Sequence, residues 1–245
     1  MFKKIKSYEM SNTIFHKSET RGIANHGWLK SRHTFSFANY FDPKRMNFGV
    51  LRVLNDDIIE GGMGFGTHPH DNMEIITIPL EGALEHKDSM GNTSVIRKGD
   101  VQVMSAGTGI FHSEFNHNKD ISVSLFQIWV LPNKENVTPR YDQVSLNIEE
   151  RHNRLQQILS PNPDDEGVWI HQNAWFYLGK FDKSMSIDYS IKSNNNGIYV
   201  IVVSGQIFIN DQLLGPRDGF GIWDVKKLSI AAQTDAEFLL MEVPM

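Results

Sequence analysis

Turn-forming residues recur in this chain at roughly 8–12-residue intervals, cutting it into segments of strand length rather than helix length. Ile75-Ile-Thr-Ile-Pro-Leu80 runs into Glu81-Gly82, and Ala83-Leu-Glu-His86 runs into Asp88-Ser-Met-Gly-Asn92. Val95-Ile96 then leads to Lys98-Gly99-Asp100 and the strand Val101-Gln-Val-Met104. Strands in close succession, with no helical period between them, predict an all-β sandwich or barrel and argue against βαβ units.

One segment reads differently. Asn147 is placed to cap a helix, Glu150 follows in capping-box position, and Ile148, Leu155, Ile158 and Leu159 form an apolar stripe. The loop Ser160-Pro-Asn-Pro-Asp-Asp-Glu-Gly167 would end it. With 245 residues the chain is long enough for two domains. The expected division is residues 1–132, a connector with a short helix over 133–167, and a second β-rich half over 168–245. A short internal repeat supports it: the order strand, Gly, strand, Gly-Asp of Ile75–Asp100 returns in Tyr199–Asp218 as strand, Gly205, strand and Pro216-Arg-Asp218.

Charge and composition remove several classes of function. A net charge of −5 argues against sequence-blind nucleic-acid binding, which needs a basic surface to displace counterions. The absence of cysteine excludes disulfides, thiolate zinc sites and thiol nucleophiles. Met1–Tyr8 is basic with no signal-length apolar stretch behind it, and no run is long enough to span a membrane. The expectation is a cytoplasmic, monomeric protein without nucleic-acid or membrane partners.

The chemistry concentrates in two pairs, His68-Pro69-His70 and His112-Ser113-Glu114. In an extended chain residues i and i+2 project from one face, so two such pairs on neighbouring strands aim four ligand atoms at one point. Pro69 holds His68 extended. Three imidazoles and a carboxylate suit divalent Fe, Ni, Mn, Co, Cu or Zn rather than Mg or Ca, and leave coordination positions open. An open site binds or transforms a guest rather than merely stapling the fold.

These residues also carry a family resemblance. Gly62-x5-His68-Pro-His70-x3-Glu74-x7-Gly82 resembles the first cupin motif, one residue longer before its last glycine. Gly99–Glu114 resembles the second motif in its pirin version, and Arg21-Gly22, Asn25-His-Gly-Trp28, His33-Thr-Phe-Ser-Phe37 and Leu84–Asn92 are also similar to pirins, above all the bacterial quercetin 2,3-dioxygenase branch. The likeness is strong from about Arg21 to Tyr141 and weaker beyond. It implies two tandem cupin barrels (jelly-roll, double-stranded β-helix), with a metal in the first held by His68, His70, His112 and Glu114, iron(II) foremost. Glu74, a ligand position in many other cupins, becomes a supporting group. Aligning the second half on the first puts Ile191, Ser193, Gly197, Ile230 and Ala232 opposite the ligand positions, so the second barrel is expected to lack the site.

The resemblance implies oxidative cleavage of a flavonol such as quercetin by O₂ with release of carbon monoxide, Glu114 taking the proton of the enol hydroxyl. The alternative is a non-catalytic, redox-responsive iron protein that docks to a regulatory partner. Around the site, His86 is expected either to line the pocket or to sit hydrogen-bonded in a hairpin. His26 and His33 are expected to pack rather than ligate. Phe65, Phe111 and Phe126 are candidate pocket walls, Glu149-Glu150-Arg151 is expected on a solvated helix face, and Ile23 stands where relatives are expected to carry histidine.

Overall fold

The structure, a computed structural model, describes residues 12–245; the basic opening segment Met1–Tyr8 lies outside the described residues. Two β-barrels stand back to back. In the first, a seven-stranded sheet faces a four-stranded one. The large sheet runs, in spatial order, Arg140–Ser145, Asp100–Ser105, Glu74–Glu81, Val123–Val130, Leu51–Ile59, Leu29–His33 and Gly22–Asn25. The small sheet runs Gly64–His70, Ile110–Asn116, Ala83–Asp88 and Thr93–Arg97. The second barrel repeats the plan, with Asn196–Ser204 and Ala236–Pro244 at the middle of its large sheet. The expected tandem cupin architecture is what the chain adopts.

The two large sheets turn their outer faces toward each other. Ile76, Ile78, Val101, Val103, Phe126, Ile128 and Val130 from the first pack in one cluster with Phe176, Leu178, Tyr199, Ile201, Leu239, Met241 and Val243 from the second. This shared core explains the continuous apolar runs such as Val200-Ile-Val-Val. A strand buried on both faces has no polar side to alternate with. The second barrel's interior is filled by its own cluster, including Ile198, Val200, Ile207, Leu228, Ile230 and Leu240.

The sheets do not follow the expected boundaries. Asn12–His16 crosses over to pair with Gly219–Trp223 of the second barrel, where His16 Nδ1 lies 2.8 Å from the Tyr199 hydroxyl. Arg21 and Arg217 clasp the same Asp56 carboxylate at 3.0 and 3.1 Å, tying the returning chain to both halves. The stretch expected as a connector is divided between the barrels: Arg140–Ser145 pairs with Asp100–Ser105, and Leu155–Ser160 pairs with Trp175–Phe181.

The expected helix is a single 3₁₀ turn, Ile148–Arg151. Asn147 caps it as expected, accepting from the Glu149 amide, but Asn153 adopts a left-handed φ of 56° and the chain leaves as a strand. The stripe misleads because of a bulge between Gln157 and Leu159, which lets the consecutive Ile158 and Leu159 both be buried and so breaks strand alternation into a helix-like spacing. Among the described residues no helix is long and apolar enough to cross a membrane.

Glu242 anchors the second barrel's rim. It is wholly buried and accepts from the Tyr189 hydroxyl at 2.7 Å, the Asn196 amide at 2.8 Å and the backbone amides of Lys192 and Ser193. Glu242→Leu leaves those donors without an acceptor, so a lower urea midpoint corresponding to a loss of about 3 kcal/mol is expected. An unchanged midpoint would remove Glu242 from the fold's supports.

Candidate metal centre

The pairing of Ile110–Asn116 with Gly64–His70 brings the imidazoles together. His112 lies directly opposite His68, and Ile110 opposite His70, so all three histidines share the inward face. Their ring centroids are 4.4 Å (His68–His112), 4.9 Å (His68–His70) and 4.9 Å (His70–His112) apart, and one nitrogen from each falls within 4.8 Å of the others. A bulge follows: Glu114 pairs with Phe65, leaving an extra residue on the histidine-bearing strand. The strands close tightly there. A Cβ on Gly64 would stand 2.2 Å from the Glu114 carbonyl oxygen, so this position requires glycine.

On its other side Ile110–Asn116 pairs with Ala83–Asp88, setting Glu114 opposite His86 and His112 opposite Asp88. A second donor group results: His86, His112 and Glu114 also offer atoms within 4.8 Å of one another. The structure thus joins three of the four expected ligands in one cluster and links Glu114 to it through His112. In its present rotamer the Glu114 carboxylate accepts from Gln127 Nε2 at 2.8 Å, while Thr77 Oγ1, 3.5 Å away, lies 2.9 Å from Gln127 Oε1. Thr77 has one proton to give, so while it serves Gln127 the second Glu114 oxygen lacks a firm donor.

Burial sets the charge states. His112 is 2% exposed, and desolvation, reinforced by His68, His70 and His86, pushes its pKa down to about 2. Desolvation and then His68 take His70 down to about 4. These imidazoles are therefore neutral, the form that ligates metals. Burial pushes Glu114 up to about 7, against the opposing bonds from Gln127 and Thr77.

The donors test well against a divalent transition ion. Both ring nitrogens of His112 are buried without a hydrogen-bond partner, an arrangement that costs on the order of 1–3 kcal/mol unless something is bound. His68 is already oriented: its Nδ1 sits 2.8 Å from the Gly66 carbonyl, which selects the tautomer with Nε2 free. Three imidazoles beside a carboxylate match the borderline-soft divalent metals.

A cavity of about 420 Å³ opens over this centre. Trp28, Phe37, Phe65 and Trp129 wall it, with His68, His70 and Glu114 among its polar lining, and the His70 ring meets Trp129 edge-on at 4.9 Å. Of the expected walls only Phe65 serves. Phe111 is 55% exposed on the outer face of its strand, and Phe126 is buried in the core between the barrels. Gln127, Trp129, Asn55 and Asp57 escaped the sequence reading. Their signal was the alternation within Val123–Val130 and Leu51–Ile59, which becomes informative only once one residue of each strand is known to face inward.

The remaining candidates fall into place. Glu74 lies apart from both donor groups, accepting from Ser105 Oγ at 2.7 Å, and burial raises its carboxyl to about 7 despite Ser105 and Arg140. His86 is the hydrogen-bonded hairpin histidine rather than a cavity wall: it is fully buried, its Nε2 is 3.1 Å from Asp88 and its ring lies 4.7 Å from that of Tyr141. His33 packs edge-on against Phe37, and Ile23 is 65% exposed. Ile230 and Ala232, opposite the ligand positions, are buried in the second barrel's apolar core, and among the described residues both donor groups lie in the first barrel.

Comparison with known proteins agrees along the chain. A family model described as pirin matches residues 15–130, and one described as quercetinase C-terminal cupin domain matches residues 157–243. A protein named quercetin 2,3-dioxygenase from Escherichia coli K12 is 45% identical over 228 residues, covering 93% of this chain and 97% of that one. A pirin-like protein from Caulobacter vibrioides is 38% identical, covering 90% and 95%. The crystal structure of bacterial pirin YhhW from Escherichia coli in complex with nickel(II) superposes with a TM-score of 0.90 at 44% identity, covering 95% of this chain and 99% of that one.

Two outcomes follow from the burial of these groups. Glu74 has a folded-state pKa above its unfolded value, so its stabilising contribution is present below about pH 4.5 and is lost as pH rises through about 7. Wild type should therefore lose roughly 2–3 kcal/mol relative to Glu74→Gln between pH 4.5 and 8 in paired urea titrations; parallel curves would contradict it. In metal-free protein His112→Leu removes two unpartnered nitrogens and should match or exceed wild-type stability by about 1 kcal/mol, whereas a large loss would mean His112 is a structural residue.

Proposed function

The chain belongs to the pirin family, and from that premise we propose that it is a metal-dependent dioxygenase acting on an enolic aromatic compound, a flavonol such as quercetin being the reference substrate. The observation that carries this reading is the group of three converging imidazoles, His112 with both nitrogens unpartnered, beside a buried carboxylate on an aromatic-walled cavity. His68, His70, His112 and Glu114 would hold the ion, with iron(II) the first candidate; the nickel complex of the Escherichia coli pirin supports a divalent occupant generally. Bound there, such an ion supplies an electrophilic site for the substrate oxygen and access to O₂ chemistry.

The protein's own contribution is positioning, drying and proton transfer. Trp28, Phe37, Phe65 and Trp129 offer flat apolar surfaces that fit a fused aromatic ring and displace water from it. Glu114, whose second oxygen lacks a firm donor, accepts the proton of the enol hydroxyl, and Gln127 holds the other oxygen so that the carboxylate faces the substrate. The overall change adds both atoms of O₂ to the flavonol and expels one ring carbon as carbon monoxide.

Quercetin absorbance, followed with metal-loaded protein under air and under nitrogen, tests the reading directly. Oxygen-dependent loss with release of carbon monoxide is expected; equal traces in the two atmospheres would reject it. His112→Ala should lose both turnover and metal-induced thermal stabilisation. Gln127→Ala should keep the stabilisation but slow turnover by roughly 10–100-fold, the usual effect of removing a group that orients a ligand.

A further inference from the structure

A second cavity, of about 430 Å³, adjoins the one over the metal centre and shares Phe37, Phe65, Asn55 and Asp57 with it. Its polar side is built by strand register. Ser31 stands opposite Asp57 and His33 opposite Asn55, all four are buried, and all four line the cavity. Ser31 Oγ, Asn55 Oδ1, Asp57 Oδ1 and His33 Nδ1 lack a hydrogen-bond partner of normal geometry in the protein, Ser31 being the neighbour of the Asp57 carboxyl. Four buried atoms left unpaired on one wall is an arrangement that folding alone does not favour. Asn55 Oδ1 can only accept, Asp57 Oδ1 accepts while its carboxyl is ionised, and His33 Nδ1 accepts in its Nε2–H tautomer.

What complements this wall is a flat apolar body that brings hydrogen-bond donors at one end. Building on the reading above, we propose that this cavity is the recognition subsite for the part of the substrate remote from the metal, and that Asn55, Asp57 and His33 select an aromatic ring bearing phenolic hydroxyls. Phe37 and Phe65 border both cavities, so a planar ligand can pass between them with its enol end over the histidines and its hydroxylated ring over Asn55 and Asp57. A ligand without those hydroxyls leaves the same atoms unpaired, so the subsite discriminates by omission as well as by contact.

The test is a binding measurement on metal-free protein, read from quenching of tryptophan fluorescence, since Trp28 and Trp129 line the adjoining cavity. The ligands are flavonols with none, one or two hydroxyls on the remote ring, together with matching flavones that lack the enol hydroxyl. Wild type is expected to bind the dihydroxy member about tenfold more tightly than the unsubstituted one in both series. Asn55→Leu and Asp57→Leu should each bring that ratio close to one; His33→Phe replaces either variant if circular dichroism shows it unfolded. Equal affinities across the wild-type series would mean that water alone satisfies these atoms, and a ratio unmoved by the substitutions would place recognition elsewhere; either result overturns the subsite. Discrimination that persists without any oxygen-dependent turnover overturns the dioxygenase reading and leaves the subsite standing.

Discussion

The strand Val123–Val130 has two faces with opposite duties, and the architecture rests on keeping them apart. Phe126, Ile128 and Val130 pack in the core between the barrels, while Leu125, Gln127 and Trp129 alternate with them and face inward. A shift of one residue in its register would move Gln127 into the apolar interface and Phe126 over the metal centre. The neighbouring strands obey the same division: Ile76 and Ile78 flank Thr77, and Val101 and Val103 flank Gln102. The apolar faces, buried together, stabilise the pair of barrels and hold each inward side chain to its place.

The two barrels solve the same packing problem differently. In the second, inward positions such as Ile198, Val200, Ile207 and Ile230 join in a continuous apolar fill. In the first, the interior apolar residues form two smaller clusters, one around Leu29, Leu84 and Leu125 and one around Ile75, Met104 and Ile110. Between them lies a polar row fixed by register: His33, Asn55, Gln127, Thr77, Gln102 and Gln143, each directly opposite the next across the large sheet. Burying such a row weakens the first barrel. The interface with the filled barrel and the clasp of Arg21 and Arg217 on Asp56 offset that weakness from outside the cavity.

The convergence of His68, His70 and His112 was the most legible part of the sequence because alternating pairs announce a shared face without any knowledge of tertiary structure. The failure of the second barrel to keep them was equally readable, since Ile230 and Ala232 cannot ligate. Boundaries were less legible. Ile158 and Leu159 mimic a helical stripe because a bulge buries consecutive residues, and Asn12–His16 pairs with a strand some 200 residues away by a register no local pattern encodes. Trp129 and Gln127 were hidden for a related reason: a strand with both faces buried carries no polar–apolar contrast to show which residues line a cavity.

The polar row also ties the candidate metal centre to the adjoining cavity. Gln127 is its hinge point. It bonds Glu114 on the metal side, lies beside the Thr77 hydroxyl, and stands opposite Asn55, which faces the second cavity. A carboxylate that must accept a proton needs a donor to fix its direction, yet too many donors would depress its basicity. Gln127 supplies one firm bond, and Thr77, with a single proton to share, adds only a loose one. Because the amide that orients Glu114 is set in the same sheet row as Asn55, the seating of a ring over Asn55 and the aim of the carboxylate are referred to one rigid frame. That coupling requires no moving part, only the register of Val123–Val130 between its two neighbours.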